Sequence, residues 1–373
     1  MLNEYNYKLL KEDIKNGKQI ILFLGAGVNY CKNHRILWAD VMAHLFGHAL
    51  MSISCDKNID DDDLVLLKRL FNIPSDNGGA LDVSLSLDLH KYVQDEYPSV
   101  LQAYIVKKIL GGRYISIIQD FLYTHCNAEL IKNAFEANHV MGQKPTAMDD
   151  DYACLFEVAR LILLCPNIKA VVTYNYDNFL TKAIEVLQSE PDKYFSAEEL
   201  KLFERRVSGD MEVVDIYGDD YDRAFKSTTF PVYHVHGYIP DRNEFQTIDD
   251  TSIVLSLDEF YDNVRNVYSW QTDTQMHLLS HYTCIFLGTS ISDITIQRML
   301  YYAQHYGNKE NIYCFRASDT ISDEDNQESR LHKILTEIKN DFYRDYGLTI
   351  ICREGGYPKM YSSISKLVDP LID

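Results

Sequence analysis

Seven short runs of aliphatic, β-branched and aromatic residues most restrict what this chain can fold into: Ile20–Leu24, Ala170–Thr173, Val232–Val235, Ser252–Leu255, Cys284–Leu287, Ile312–Phe315 and Leu348–Ile351. Most are continuous rather than alternating, the pattern of strands covered on both faces of a parallel sheet. Between them the spacing is helical. Trp38, Val41, Met42 and Leu45 share one face after the first run, Phe179 to Leu187 follows the second, and Ile294, Met299 and Tyr302 follow the fifth. Strand and helix in alternation predict an α/β fold with a doubly wound, Rossmann-like parallel sheet.

The interval from Asp56 to Leu164 breaks that rhythm. It opens on the charge run Asp60–Asp63 and holds a turn cluster at Pro74–Gly79. Amphipathic stretches follow at Val100–Leu110 and Tyr114–His125, without a convincing strand. We read a helical insertion at 56–164 inside a discontinuous α/β domain formed by 1–55 and 165–373. Polar, acidic loops are expected at Gly142–Asp151 and Asp319–Arg330. The chain has 373 residues, enough for two domains or one domain with an insertion at roughly 150 residues each.

Charge narrows the partners. Lys and Arg number 36 against 55 Asp and Glu, a formal charge of −19. A surface that holds a nucleic-acid backbone must be locally cationic, so direct nucleic-acid binding is not expected. A small phosphate-bearing ligand remains compatible, because helix N-termini and backbone amides bind phosphate without lysine. The eight cysteines (Cys31, Cys55, Cys126, Cys154, Cys165, Cys284, Cys314 and Cys352) form no Cys-x-x-Cys pair, and several sit in apolar runs. They read as buried, reduced thiols of a cytoplasmic protein, with no ligands for a zinc ribbon. The polar N-terminal residues do not look like a signal peptide, and no apolar run is long enough for a membrane span.

In open α/β sheets, ligands bind beyond the carboxyl ends of the strands. Four such junctions carry unusual residues. Phe23-Leu24-Gly25-Ala26-Gly27-Val28-Asn29 runs a strand into Gly-x-Gly, which suits a phosphate-binding turn or simply a tight strand-to-helix connection. After Thr173, Asn175 and Asp177 stand two residues apart. They could orient a ribose hydroxyl and a water, or cap the helix that follows. His234 and His236 share a strand face before Gly237; His236 suits a general base, and His234 a buried supporting role. Gly288, Thr289 and Ser290 bring a glycine and two hydroxyls to the same edge, with Ser292 or Asp293 placed to cap the next helix.

FLGAGV, TYNYDNFL, VHG and FLGTSISD, in that order, resemble the sirtuin superfamily, and most of all the sirtuin-like NAD hydrolases of bacterial antiphage defence. The resemblance covers roughly 18–50 and 155–292. It implies that Gly25, Ala26, Gly27 and Val28 line the phosphate turn and that Asn29, standing where the family usually has Ser, bonds phosphate or ribose. Thr173 would be among the residues that bind the dinucleotide, and Asp177 would lie near the nicotinamide carboxamide. Asn175 would hold ribose and water, His236 would be the base, and Gly288, Thr289 and Ser290 would meet adenosine. Departures from the deacylase branch are Arg35-Ile-Leu-Trp38 after the glycine turn, Tyr174 before the Asn, and no four-cysteine zinc module.

The resemblance therefore implies an NAD+ glycohydrolase that releases nicotinamide and ADP-ribose, with NAD+ as substrate and no zinc. Its biological role would be NAD depletion in antiphage defence. Other readings are a non-hydrolytic module sensing NAD or ADP-ribose, and a protein deacylase or ADP-ribosyltransferase. Homo-oligomerisation is expected, as is a partner such as a HerA-like ATPase or an Argonaute-like sensor; membrane association is not.

Overall fold

The computed structural model describes residues 2–31, 36–57, 59–71, 73, 92–93, 95–140, 152–207, 211–218, 228–242, 253–256, 259, 269–291, 293–306, 310–318, 327–354 and 356–372. Its centre is a seven-stranded sheet of β1 (Ile20–Leu24), β2 (Ile168–Thr173), β3 (Glu212–Ile216), β4 (Thr229–His234), β5 (Thr283–Leu287), β6 (Ile312–Ser318) and β7 (Leu348–Glu354). The order is β3-β4-β2-β1-β5-β6-β7, and every neighbouring pair is parallel. With edge strand β3 set aside and the rest renumbered, this is the 3-2-1-4-5-6 order of doubly wound dinucleotide folds.

Strand alternation explains the continuous apolar runs. Ile20, Leu22 and Leu24 face one core, while Ile21 and Phe23 face the other, where Phe23 stacks on Phe286 at 4.6 Å. The first core is shared with α1 (Leu2–Lys15), α7 (Ala153–Leu164), α8 (Phe179–Ser189) and α14 (Gly356–Ser365). α11 (Trp270–His281), α12 (Ile294–Tyr306) and α13 (Gln327–Asp345) cover the opposite face. Smaller helices α9 (Pro191–Tyr194) and α10 (Ala197–Val207) follow α8, and α15 (Asp369–Ile372) closes the described chain.

Between β1 and β2 the described elements are all helical: α2 (Trp38–Lys57), α3 (Asp61–Leu70), α4 (Ser99–Leu110), α5 (Arg113–His125), α6 (Ala128–Asn138) and α7. The run Asp60–Asp63 starts α3, because Asp60 accepts the Asp63 N–H at 2.8 Å and the following carboxylates sit at the positive end of the helix. Val106, Ile118 and Leu122 of α4 and α5 bury into the same core as Leu22 and Leu24, so these helices extend one face of the sheet.

Several expectations change. Ser252 lies outside the described residues, and 253–256 is not a strand; Val254 instead gives a single backbone hydrogen bond to the His236 carbonyl at 2.8 Å. The edge strand β3 does not stand out as an apolar run because Glu212 and Asp215 interrupt it, although Val214 and Ile216 are buried. The turn cluster at 74–79 and the loop at 142–151 fall outside the described residues. The expected loop at 319–330 is outside them up to 326, and its last four residues begin α13. The cysteines are free, but Cys55 is exposed and Cys352 half-buried rather than buried. No helix among the described residues is long and apolar enough to cross a membrane.

Candidate functional site

Register brings the four junctions to one edge. Leu24 pairs with Thr173 and with Leu287, and Thr173 pairs with His234, so the residues after β1, β2, β4 and β5 leave the sheet at one level. They open on a cavity of about 870 Å³, within the usual range for small-molecule sites.

At its centre the loops after β1 and β5 touch backbone to backbone. A methyl group on Gly27 would lie 2.7 Å from Gly288 Cα, one on Gly25 would lie 2.7 Å from Gly288 O, and Gly288 itself has φ +64°. The glycines are thus required by loop-to-loop packing. That packing also uses their amides: Gly25 N–H donates to Leu287 O at 3.0 Å, Gly27 N–H to Gly288 O at 2.9 Å, and Val28 N–H to Gly25 O at 3.1 Å. A turn whose four amides all face a pyrophosphate is therefore not what forms. Ala26, half-buried and lining the cavity, keeps an amide without a protein acceptor among the described residues.

Val28 and Asn29 are buried behind this turn and do not line the cavity. Asn29 donates its side-chain amide to Asp177 Oδ2 at 2.8 Å, and Asp177 Oδ1 accepts the Phe179 N–H at 3.2 Å. Asn29 and Asp177 thus tie the turn after β1 to the start of α8. Burial pushes the Asp177 carboxyl up to about 6, against the opposing pull of these donors. Thr173 is also buried, and its hydroxyl accepts the Asn175 N–H at 3.1 Å.

Asn175 reaches the cavity half-buried, and its carboxamide has no partner among the described residues. Its carbonyl faces His234 Nδ1 at 3.1 Å, and His234 Nε2 faces Asp215 Oδ1 at 2.8 Å. Asp215 also accepts the Thr181 hydroxyl at 2.8 Å. His234 is therefore the buried support expected of it, anchored by a β3 residue that no sequence motif marks.

His236 lines the cavity one junction away. Its ring packs edge-on to Tyr174 at 5.0 Å, and the Tyr174 hydroxyl donates to Gln275 Oε1 at 3.0 Å. Burial holds the imidazole below the ordinary histidine range, against the raising effect of the Asp293 carboxylate. Asp293 caps α12 by accepting the Thr295 N–H at 2.7 Å; Ser292 lies outside the described residues. Gly288, Thr289 and Ser290 all line the cavity, and the Thr289 hydroxyl is buried with no hydrogen-bond partner among the described residues. Beyond the expected residues, Trp38 of α2, Arg316 of β6, and Lys339 and Tyr343 of α13 also line it.

Residues 169–351 match the family model of the SIR2-like domain. This stretch is a SIR2-like domain. No curated protein matches the chain. The SIR2-like match starts at β2 and ends in β7, so it includes Asn175, His236 and Gly288. The glycine turn precedes it in sequence and joins it through the pairing of β1 with β2 and β5.

A SIR2-like domain implies NAD+ involvement, and the cavity suits such a ligand. The Thr289 hydroxyl, the Ala26 amide and the Asn175 carboxamide, each without a partner among the described residues, offer it polar groups. Among the described residues no group of three or more His, Cys, Asp or Glu side chains is arranged to hold a metal ion.

Proposed function

We propose that the chain is an NAD+ glycohydrolase that releases nicotinamide and ADP-ribose. The observation that carries this reading is the pair of side chains lining one cavity: the carboxamide of Asn175, which has no partner among the described residues, and the half-buried imidazole of His236. Nicotinamide is bound to ribose as a cation and leaves neutral, so its departure needs no general acid. The ribose–nitrogen bond breaks with its electron pair going to nicotinamide, and a water oxygen bonds to the same carbon through an oxocarbenium-like transition state. Asn175 orients the ribose and the water. His236, kept neutral by burial, accepts the water's proton directly or through a ribose hydroxyl, a contribution typically of about 10²–10⁴-fold.

Chromatography of NAD+ incubated with the purified chain tests this reading. Nicotinamide should be released, and Asn175→Ala and His236→Ala should each lower the rate about 100-fold or more with an unchanged circular-dichroism spectrum. Full activity in both variants would overturn the assignment.

The resemblance to antiphage enzymes supports a role in NAD depletion, and such an activity calls for control by assembly. We also propose that the chain self-associates. Leu331, Leu335, Ile338 and Phe342 recur on α13 with coiled-coil spacing and are 51%, 64%, 60% and 41% exposed. Two such rows run antiparallel are complementary to each other. Trp38 of α2 and Leu122 of α5 line the cavity, so the helices between β1 and β2 reach the site that assembly would regulate.

A further inference from the structure

The amides of Gly25, Gly27 and Val28 are used inside the protein, which leaves open what balances a ligand's negative charge in a chain of net charge −19. Among the cavity-lining residues, the Lys and Arg side chains are Arg316 and Lys339. Arg316 is half-buried near the end of β6, its guanidinium 4.7 Å from the ring centre of Tyr343 on α13. Lys339 lies one turn before Tyr343 on that helix. Neither forms an ion pair with a carboxylate of the described residues. Lys339 is exposed and Tyr343 is buried with the Arg316 guanidinium over its ring, and both cations line the cavity on its β6 and α13 side.

Their position along the sheet says which part of a dinucleotide they meet. β4, whose junction carries His236, and β6 are four strand steps apart, about 19 Å at the usual spacing of roughly 4.8 Å. The reacting ribose belongs at the His236 and Asn175 end, and the centre is the β1/β5 turn. Phe286 pairs with Cys314, so Arg316 stands level with Gly288 and one strand beyond it, on the side away from His236. That is the adenosine end, and an unmodified adenosine carries no anion there. A planar guanidinium beside an ammonium is chemistry suited to a phosphate monoester.

Resting on the proposed reading that the reacting ribose lies at Asn175 and His236, we propose that Arg316 and Lys339 form a subsite for a phosphate on the adenosine ribose. The cavity then takes the 2′-phosphorylated dinucleotide, NADP+, in preference to NAD+.

Two measurements test this. Calorimetry with 2′,5′-ADP and 5′-AMP on the wild-type chain should give binding about tenfold or more tighter for 2′,5′-ADP, the worth of one charge-assisted hydrogen bond. Arg316→Gln, and separately Lys339→Gln, should collapse that ratio. Nicotinamide release should show the same order in kcat/KM, with NADP+ above NAD+ and the ratio falling in either variant. Equal binding of the two nucleotides, or variants that weaken both substrates alike, overturns the subsite, because the cations would then serve a phosphate common to both. Preference for 2′,5′-ADP without cleavage of either dinucleotide keeps the subsite and removes the hydrolase reading. Cleavage of NAD+ without the preference does the reverse, and failure to bind or cleave anything overturns both.

Discussion

Asp177 is held by two donors, the Phe179 N–H and the Asn29 amide, yet burial still lifts its carboxyl to about 6 from the ordinary 3.8. The folded chain binds this proton more tightly than the unfolded chain. Its contribution to stability is fully present below about pH 4 and is lost as pH rises through about 6, roughly 3 kcal/mol for a gap of about two units. Asp177→Asn keeps an oxygen for the Phe179 N–H and removes the titration, while Asn29 can rotate to present its own oxygen. In urea denaturation the variant should gain on the wild type by about 1–2 kcal/mol between pH 4.5 and 7.5. An unchanged difference across that range would show that Asp177 does not titrate there. Asp177 lines the cavity with both carboxylate oxygens occupied by these donors, whereas the carboxamide of Asn175 two residues earlier lines it with no partner among the described residues.

The contact between the loops after β1 and β5 is the element-scale feature on which the cavity depends. A methyl group on Gly27 would press on Gly288 Cα at 2.7 Å, so Gly27→Ala forces two backbones apart and should cost about 1–3 kcal/mol. Gly111, between α4 and α5, provides the comparison. Its φ is +53° and its ψ −146°, a backbone region open essentially to glycine, and a methyl group there would meet nothing within 4 Å, so Gly111→Ala bears a purely local backbone cost of about 1–3 kcal/mol. Thermal melts measure both costs. Nucleotide binding should separate the two variants further, because only Gly27→Ala should weaken it; intact binding in that variant would show that the contact does not shape the cavity. The edge strand β3 works through position too. It carries Asp215 to His234, and through that ring to the Asn175 carbonyl, so a strand outside the ligand cavity orients a residue inside it.

For the whole molecule, the exposed α13 row predicts association. In sedimentation at tens of micromolar the wild type should run larger than a 43.2 kDa monomer, and Leu335→Glu with Ile338→Glu should return it to one. Because both side chains are exposed, the folding stability of the monomer should move by only about 0.5 kcal/mol. A wild type that is already monomeric would remove the proposal. The parallel sheet and the order of its junctions were legible in the sequence, because a strand buried on both faces must be apolar along its whole length, as Ile20–Leu24 and Cys284–Leu287 are. β3 was not, since an edge strand needs only alternate buried residues and tolerates Glu212 and Asp215. Sequence alone also brought Asn175, His236 and Gly288 forward, because each follows a strand end in a recognisable local pattern. It could not assign Gly25, Gly27 and Asn29 their partners. Whether an amide faces a ligand or a neighbouring loop depends on what lies across the sheet, and Gly288 and Asp177 arrive there from about 260 and 150 residues away. Arg316 and Lys339 had no motif to mark them; only the pairing of β6 with β5 and the packing of α13 set two unrelated cations at one end of one cavity.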